Sequence, residues 1–214
     1  MGTGIGQQFQ KMLSHLVAFH RMEKVLETGT FTGNGSTKCL SDALEMVGPS
    51  SLLWTIEINH RYLKIAQDFC KGKANIVYCL GSSVPKNLVP TVEDTKLWIE
   101  SNLAENPKIR VDYKGSPEKY VEESSGQYVI YDLLGLLIPK IKYDLILLDS
   151  AGHIGFVEFS YLMTILNYPT FIALDDINHI KHWKTSQQIF SDKRFEVIFK
   201  TDERYGSMVA KFTP

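Results

Sequence analysis

The chain lacks an excess of either charge. Its 214 residues hold 23 Lys and Arg against 24 Asp and Glu, a formal net charge of −1. Proteins that coat nucleic acid through bulk phosphate attraction are basic, so no nucleic-acid partner is expected. Long apolar runs are also missing. None approaches the ~18–20 residues of a membrane-spanning helix, and the N-terminus has no basic start followed by an apolar stretch. The expectation is a cytoplasmic protein without a membrane partner. Cysteine is scarce and odd in number: Cys39, Cys70 and Cys79 fall in no CxxC or other zinc-type spacing. They read as reduced thiols of the core. No internal repeat or low-complexity stretch occurs, and no Gly-Lys-Ser/Thr marks a P-loop. What is there is globular. At 44% hydrophobic and 22% charged residues, the chain can fill a core and is too apolar for disorder.

Periodicity alternates between short β-like runs and helical stretches. Residues 7–20 carry Phe9, Met12, Leu13, Leu16 and Val17 on one helical face, with His20 next on it. Core packing is the plain reading of that stripe; a helix covering a ligand site is the other. Strands are predicted over 24–28, 51–57, 74–80, 143–149 and 169–175. Helices are predicted over 36–47, from an Asn59 cap onward, and over 91–102, 128–138, 155–166 and 179–190. Ser116 with Pro117 reads as another helix start. The runs 195–200 and 207–212 form a closing antiparallel hairpin. Strands alternating with helices imply βαβ units and a parallel sheet, and nearly continuous apolar strands imply helices on both faces. The fold class is therefore α/β: a doubly wound, Rossmann-like, seven-stranded sheet, mostly parallel, in one domain spanning 1–214. Residues 85–142 form an insertion within it. Inserts of this length serve as lids, substrate walls or dimer contacts, so a homodimer is one arrangement it allows. The aromatics Trp98, Tyr113, Tyr120, Tyr128 and Tyr131 in it divide between pocket and core.

In open α/β sheets ligands sit beyond the carboxyl ends of the strands. Those ends carry Glu27 and Gly29, Glu57, Gly81 with Ser82, Asp149, and Asp175 with Asp176. Each carboxylate alone reads equally as a helix cap or a solvated loop acid; acids at four of five ends are harder to dismiss. The first turn, ETGTFTGNGST from Glu27 to Thr37, joins a glycine turn to a helix start. Gly29 and Gly33 would let backbone approach a ligand closely. The spacing is G-x-x-x-G-x-G, not the G-x-G-x-x-G of dinucleotide sites. An acid beside such a loop suits a ligand with a positive amino group. Glu57, ending the second strand, is placed to accept the two hydroxyls of a ribose, a role nicotinamide and other nucleoside cofactors share.

ETGTFTGNGST resembles the first motif of class I S-adenosylmethionine-dependent methyltransferases, in the variant E-x-G-x-x-x-G-x-S of small-molecule O-methyltransferases. YDLILLDSAGH followed by ALDDINH is similar to that family too, and the likeness runs from about Met22 to Phe212, apart from roughly 86–127. Metal-dependent sugar and antibiotic O-methyltransferases and cephalosporin-hydroxylase-like proteins are the groups it looks most like. The resemblance implies S-adenosylmethionine as cofactor, held by Glu27, Gly29, Thr30, Gly33, Ser36, Glu57, Ser82 and Asp149, and a small-molecule acceptor. It implies magnesium on Asp149, Asp175 and Asp176, with Asp149 and His153 catalytic and His153 as base. Two departures stand out. Asn34-Gly35 adds a residue before Ser36, and His153 lies four residues after Asp149 where related enzymes more often have three. Ser82 reads equally as an adenine contact or a simple turn.

The chemistry expected of such a site is methyl transfer to a hydroxyl. Two carboxylates ~4 Å apart repel by about 4 kcal/mol at an effective dielectric near 20. A divalent cation removes that cost, and an all-oxygen site suits Mg²⁺. The metal would lower the pKa of a bound hydroxyl, and His153 would take the proton. The plainer reading of Asp175 and Asp176 is a helix cap, and that of His153 a loop or cap histidine. His179 and His182 read as helix-surface residues, with His179 close enough to the site to remain a candidate there, and Asn178 as a cap or a substrate contact. Two other functions compete: a nicotinamide-dependent oxidoreductase, and a non-catalytic methyltransferase-fold binding protein.

Overall fold

The computed structural model describes residues 4–126 and 130–214. Its elements in chain order are α1 (Gln7–Phe19), β1 (Lys24–Thr28), α2 (Ser36–Val47), β2 (Leu52–Glu57), α3 (His60–Phe69) and β3 (Ile76–Leu80). Then come α4 (Val92–Glu105), α5 (Pro117–Glu123), α6 (Leu133–Leu137), β4 (Leu145–Leu148), α7 (His153–Ile165) and β5 (Thr170–Asp175). α8 (Trp183–Ser191), β6 (Phe195–Thr201) and β7 (Ser207–Phe212) complete the chain.

The sheet has seven strands in the order β3-β2-β1-β4-β5-β7-β6. The first five are mutually parallel, and β7 runs antiparallel between β5 and β6. Alternation along the central strands explains why they are buried at nearly every position. Val25, Leu145, Leu147 and Ala173 pack toward α1 and α2, against Phe9, Leu13, Leu40 and Leu44. Their neighbours Leu26, Ile146, Leu148 and Ile172 pack toward α6, α7 and α8, against Leu134, Phe159, Leu162 and Ile189. Side chains alternate faces in a strand, so a sheet covered on both sides needs apolar residues at every position. The stripe in α1 is core: Phe9, Leu13, Leu16 and Val17 are buried, whereas His20 is exposed. The three cysteines are free thiols.

Several boundaries differ from the expected ones, and three helix starts bear on the site. The helix predicted over 128–138 shrinks to α6. Asp132 adopts a left-handed conformation and its carboxylate accepts from the Gly135 amide at 3.0 Å, which starts the helix there; Tyr128 lies outside the described residues. Helix α7 begins earlier, at His153. Helix α8 begins later, at Trp183, because Asp176 has φ +62° and the chain from 176 to 182 crosses the carboxyl edge of the sheet as a loop. Asp175 and Asp176 consequently cap no helix; the N-cap of α8 is His182. Asn59 does cap α3, accepting from the Arg61 amide at 3.0 Å. Ser116 precedes α5 without capping it, and its hydroxyl donates to Glu118 at 2.8 Å.

Between β3 and β4, helices α4 and α5 build a third apolar cluster of Trp98, Ile99, Ile109, Tyr120 and Ile180. Ile180 belongs to the 176–182 loop, so this segment packs on the sheet edge through it. An isolated bridge pairs Arg110 with His179, the Arg110 amide donating to Asn178 O at 3.1 Å and the Ile180 amide to Arg110 O at 2.9 Å. Among the described residues no helix is long and apolar enough to cross a membrane.

Candidate functional site

A cavity of about 700 Å³ opens at the carboxyl ends of the parallel strands, where β1 and β4 adjoin and the strand order reverses. Its size is that of a small-molecule site, and its place is where such sheets bind ligands.

The first wall is the turn after β1. Gly29 has φ +83°, and a Cβ there would lie 2.5 Å from the Asp149 carbonyl oxygen. Gly33 has φ +73°, with Ala66 Cβ at 3.0 Å from such an atom. These glycines admit neighbouring chain, the end of β4 and helix α3, rather than a ligand; the turn they shape still lines the cavity. Thr30 is pinned by its hydroxyl to that of Thr55 at 2.6 Å. Ser36 opens α2, whose first amides have no side-chain cap. Asn34, Gly35 and Ser36 line the cavity, so the positive end of that helix looks into it.

Two glutamates divide differently from expectation. Glu57 lines the cavity and is only 8% exposed. Its Oε2 accepts from the Phe31 amide at 2.7 Å and its Oε1 from the Asn59 amide at 2.8 Å. Burial pushes its pKa up while these amides pull it down. The bonds fix the carboxylate and leave each oxygen further acceptor capacity. Glu27 does not line the cavity. It is fully buried behind the turn, where Oε2 accepts from the hydroxyls of Thr37 and Thr55, both at 2.6 Å. Its Oε1 has no partner among the described residues, and burial raises its pKa. It ties β1 to α2 and β2. Ser82 lines the cavity, but its hydroxyl donates to Val84 O at 2.9 Å and closes a turn.

The acidic group assembles as the motif order suggests. Carboxylate oxygens of Asp149, Asp175 and Asp176 come within 4.8 Å of one another. Asp149 and Asp176 line the cavity; Asp175 lies behind them and accepts from the Ser207 hydroxyl at 2.6 Å. Burial, with Asp149 and Asp176 nearby, pushes Asp175 up to about 7. At this point stands a residue that sequence reasoning missed. The ammonium of Lys181 binds Asp149 Oδ1 and lies 2.9 Å from Asp176 Oδ2. Burial works to lower the Lys181 pKa, but the carboxylates outweigh it and hold the ammonium well above the ordinary lysine range. Burial raises Asp149 to about 6 against the pull of Lys181, whereas the same ammonium holds Asp176 below its ordinary value despite burial. A divalent ion on these three carboxylates would share Asp149 and Asp176 with the ammonium, which already engages one oxygen of each and would repel the ion. As they stand, these residues do not fit magnesium and the ammonium together.

A second missed residue is Glu158 of α7. It is 0% exposed yet lines the cavity. Its carboxylate accepts from the hydroxyls of Ser83, Ser150 at 2.7 Å and Thr28 at 2.9 Å. Burial pushes it up to about 7.

The histidines also fall differently. His153, the expected base, does not line the cavity. Its ring stacks on Trp98 with centroids 4.7 Å apart and 7° between planes, and Nδ1 has no hydrogen-bond partner among the described residues. Burial lowers its pKa to about 4. His179 and His182 are buried, not on a helix surface. His179 lines the cavity; its Nδ1 accepts from the Lys181 amide at 3.2 Å, and Nε2 lies 3.2 Å from Asp112 Oδ2 without a hydrogen bond's alignment. The segment between β3 and β4 contributes Asp112, Tyr113, Glu123 and Ser124 to the opposite wall, while Trp98 and Tyr120 serve its own core.

The parallel strands are thus followed by a terminal antiparallel hairpin. Solved structures share this fold across nearly the whole chain. An O-methyltransferase from Bacillus cereus, in complex with SAH, has TM-score 0.59 and 15% identity, covering 100% of this chain and 84% of that one. A putative O-methyltransferase from Klebsiella pneumoniae has TM-score 0.61 and 13% identity, covering 100% and 84%. The O-methyltransferase TomG from Streptomyces achromogenes, in complex with SAM, has TM-score 0.59 and 13% identity, covering 99% and 82%. At such identities the likeness is one of fold. No protein-family model matches the sequence, and no curated protein matches it.

Proposed function

We propose that this protein transfers the methyl group of S-adenosylmethionine to a hydroxyl group of a small molecule. Glu57 is the observation that carries the reading. A nearly buried carboxylate is held by two backbone amides at the end of β2, faces the cavity and retains acceptor capacity, which suits the two hydroxyls of a ribose. The uncapped start of α2 at Ser36, with Gly33 and Thr30 beside it, offers amides to a carboxylate group. Gly29 and Asp149 shape the floor, and Ser82 sets the far turn. Bound there, S-adenosylmethionine supplies a sulfonium methyl group as electrophile.

Within that frame the protein's task is to orient the acceptor and take its proton. His153 is outside the cavity. His179 has Nδ1 engaged by a backbone amide, so its neutral ring carries a proton on Nε2 and does not serve as base. Lys181 is held as an ammonium. We assign the base to Asp149 among the carboxylates that line the cavity: Lys181 holds Oδ1, Oδ2 has no hydrogen bond from the described residues, and a pKa of about 6 leaves it ionised at neutral pH. The resemblance to metal-dependent enzymes supports a catalytic role for this acidic wall, but no step here requires the ion.

Isothermal titration of the whole protein with S-adenosylhomocysteine and with NAD⁺ tests the reading. Saturable binding of the first and none of the second is expected. Binding of NAD⁺ alone would point to the oxidoreductase, and binding of neither would leave only the fold.

A further inference from the structure

We propose that Lys181 is the resident cation of the acidic wall: its ammonium takes the place a divalent metal would fill, and the protein works without one. The part of this proposal that concerns the acceptor rests on the methyltransferase reading; the part that concerns metal does not.

Three observations converge on Lys181. The first is position. Asp149, Asp175 and Asp176 are brought together at one sheet edge, and the ammonium sits between the two that face the cavity. The second is accommodation by a neighbouring helix. Gly155 lies in α7, and a Cβ there would come within 3.0 Å of Lys181 Cγ and 2.9 Å of the His182 ring. Helix α7 is notched where the lysine stem passes. The third is anchorage. The 176–182 loop is fixed by the bridge to Arg110 and by the Lys181 amide on His179 Nδ1 at 3.2 Å. The side chain is 6% exposed, so its aim is set by the backbone rather than by a free search of rotamers.

The donor count shows what the ammonium can do. It has three N–H groups. Two meet Asp149 Oδ1 and Asp176 Oδ2. The third has only the Asp149 carbonyl oxygen at 3.4 Å, a long contact it can exchange for a better acceptor. Lys181 lines the cavity, so that N–H is available to the oxygen of an acceptor. The oxygen would be held by hydrogen bonding to a fixed charge rather than by coordination.

Metal-stripped protein is titrated with Mn²⁺, followed by the loss of the free-ion electron paramagnetic resonance signal, alongside thermal melts with and without Mg²⁺. Wild type is expected to leave Mn²⁺ free and to melt at the same temperature in either buffer. Lys181→Ala leaves the carboxylates unmatched. Its melting temperature should fall by roughly 10 °C, recover when Mg²⁺ is added, and be accompanied by uptake of one Mn²⁺. Lys181→Gln gives the same test should the alanine variant not fold. Mn²⁺ held by wild type and lost in Asp149→Asn overturns the proposal, as does failure of either folded lysine variant to take up the ion. If neither variant folds, the wild-type titration decides. S-adenosylhomocysteine is titrated into the same samples; its failure to bind would count against the methyltransferase reading and leave the Mn²⁺ result standing.

Discussion

The imidazole of His153 lies nearly parallel to the indole of Trp98, 4.7 Å between centroids, with Phe156 against the same indole at 4.4 Å. The Lys184 ammonium lies 5.2 Å from the Trp98 ring centroid. This is an aromatic stack joining α4 to α7, outside the cavity. The imidazole contributes area to it and leaves Nδ1 unsatisfied.

His153→Phe should therefore melt no lower than wild type. It replaces a buried polar atom without a partner by an apolar ring of similar shape. Affinity for S-adenosylhomocysteine should be unchanged. A large loss of binding by calorimetry in a variant that melts normally would return His153 to the site.

Glu57→Ala should weaken S-adenosylhomocysteine binding by about 10- to 100-fold, the value of one to two hydrogen bonds to a charged acceptor. Glu57→Gln should fall between. Calorimetric titration against wild type is the check, with circular dichroism to show that the Phe31 and Asn59 amides have not lost the fold along with their acceptor.

Glu158 makes stability depend on pH. Its carboxyl is raised to about 7 in the folded chain from an ordinary 4.5. Between these values the folded state holds a proton that the unfolded state has released, so stability falls as pH rises from about 4.5 to 7. The whole effect amounts to roughly 3 kcal/mol at 1.36 kcal/mol per pKa unit. Urea unfolding at pH 5 and pH 8 should show a decline in wild type that is reduced in Glu158→Gln. Equal declines in both would assign the dependence to other groups.

Gly29→Ala should cost more than about 2 kcal/mol, because it adds a left-handed penalty to a collision with backbone. The obstacle is the Asp149 carbonyl, at 2.5 Å from the new atom, and no side-chain movement relieves it. Denaturant midpoints measure this directly. A near-neutral result would mean that the ends of β1 and β4 can separate.

The architecture was legible because its signals are local and repeated. The strand 24–28 and the helix 36–47 lie where apolar periodicity places them, and the hairpin follows from two short runs around one turn. The strand-end rule likewise found Glu57, Asp149 and Asp176. It failed for Glu27 because alternation within β1 turns that residue toward Thr37 of α2, and strand position alone does not report facing. Lys181 was hidden by a boundary: read as part of a helix from 179, it has no reason to reach Asp149, whereas the loop from 176 to 182 delivers it there. Glu158 did leave a signal. It is the sole charged residue among the 13 of α7, and a lone carboxylate between Val157 and Phe159 in so apolar a helix needs buried partners.

The bridge between Arg110 and His179 ties two stretches of the chain together. The segment between β3 and β4 and the lysine-bearing loop are one graft, joined by two backbone hydrogen bonds at 3.1 and 2.9 Å and by Ile180 seated among Trp98, Ile109 and Tyr120. A chimera that imports a foreign 85–142 segment while keeping residues 176–182 would misaim its own ammonium. Swapping both stretches together is the unit in which specificity could be transplanted.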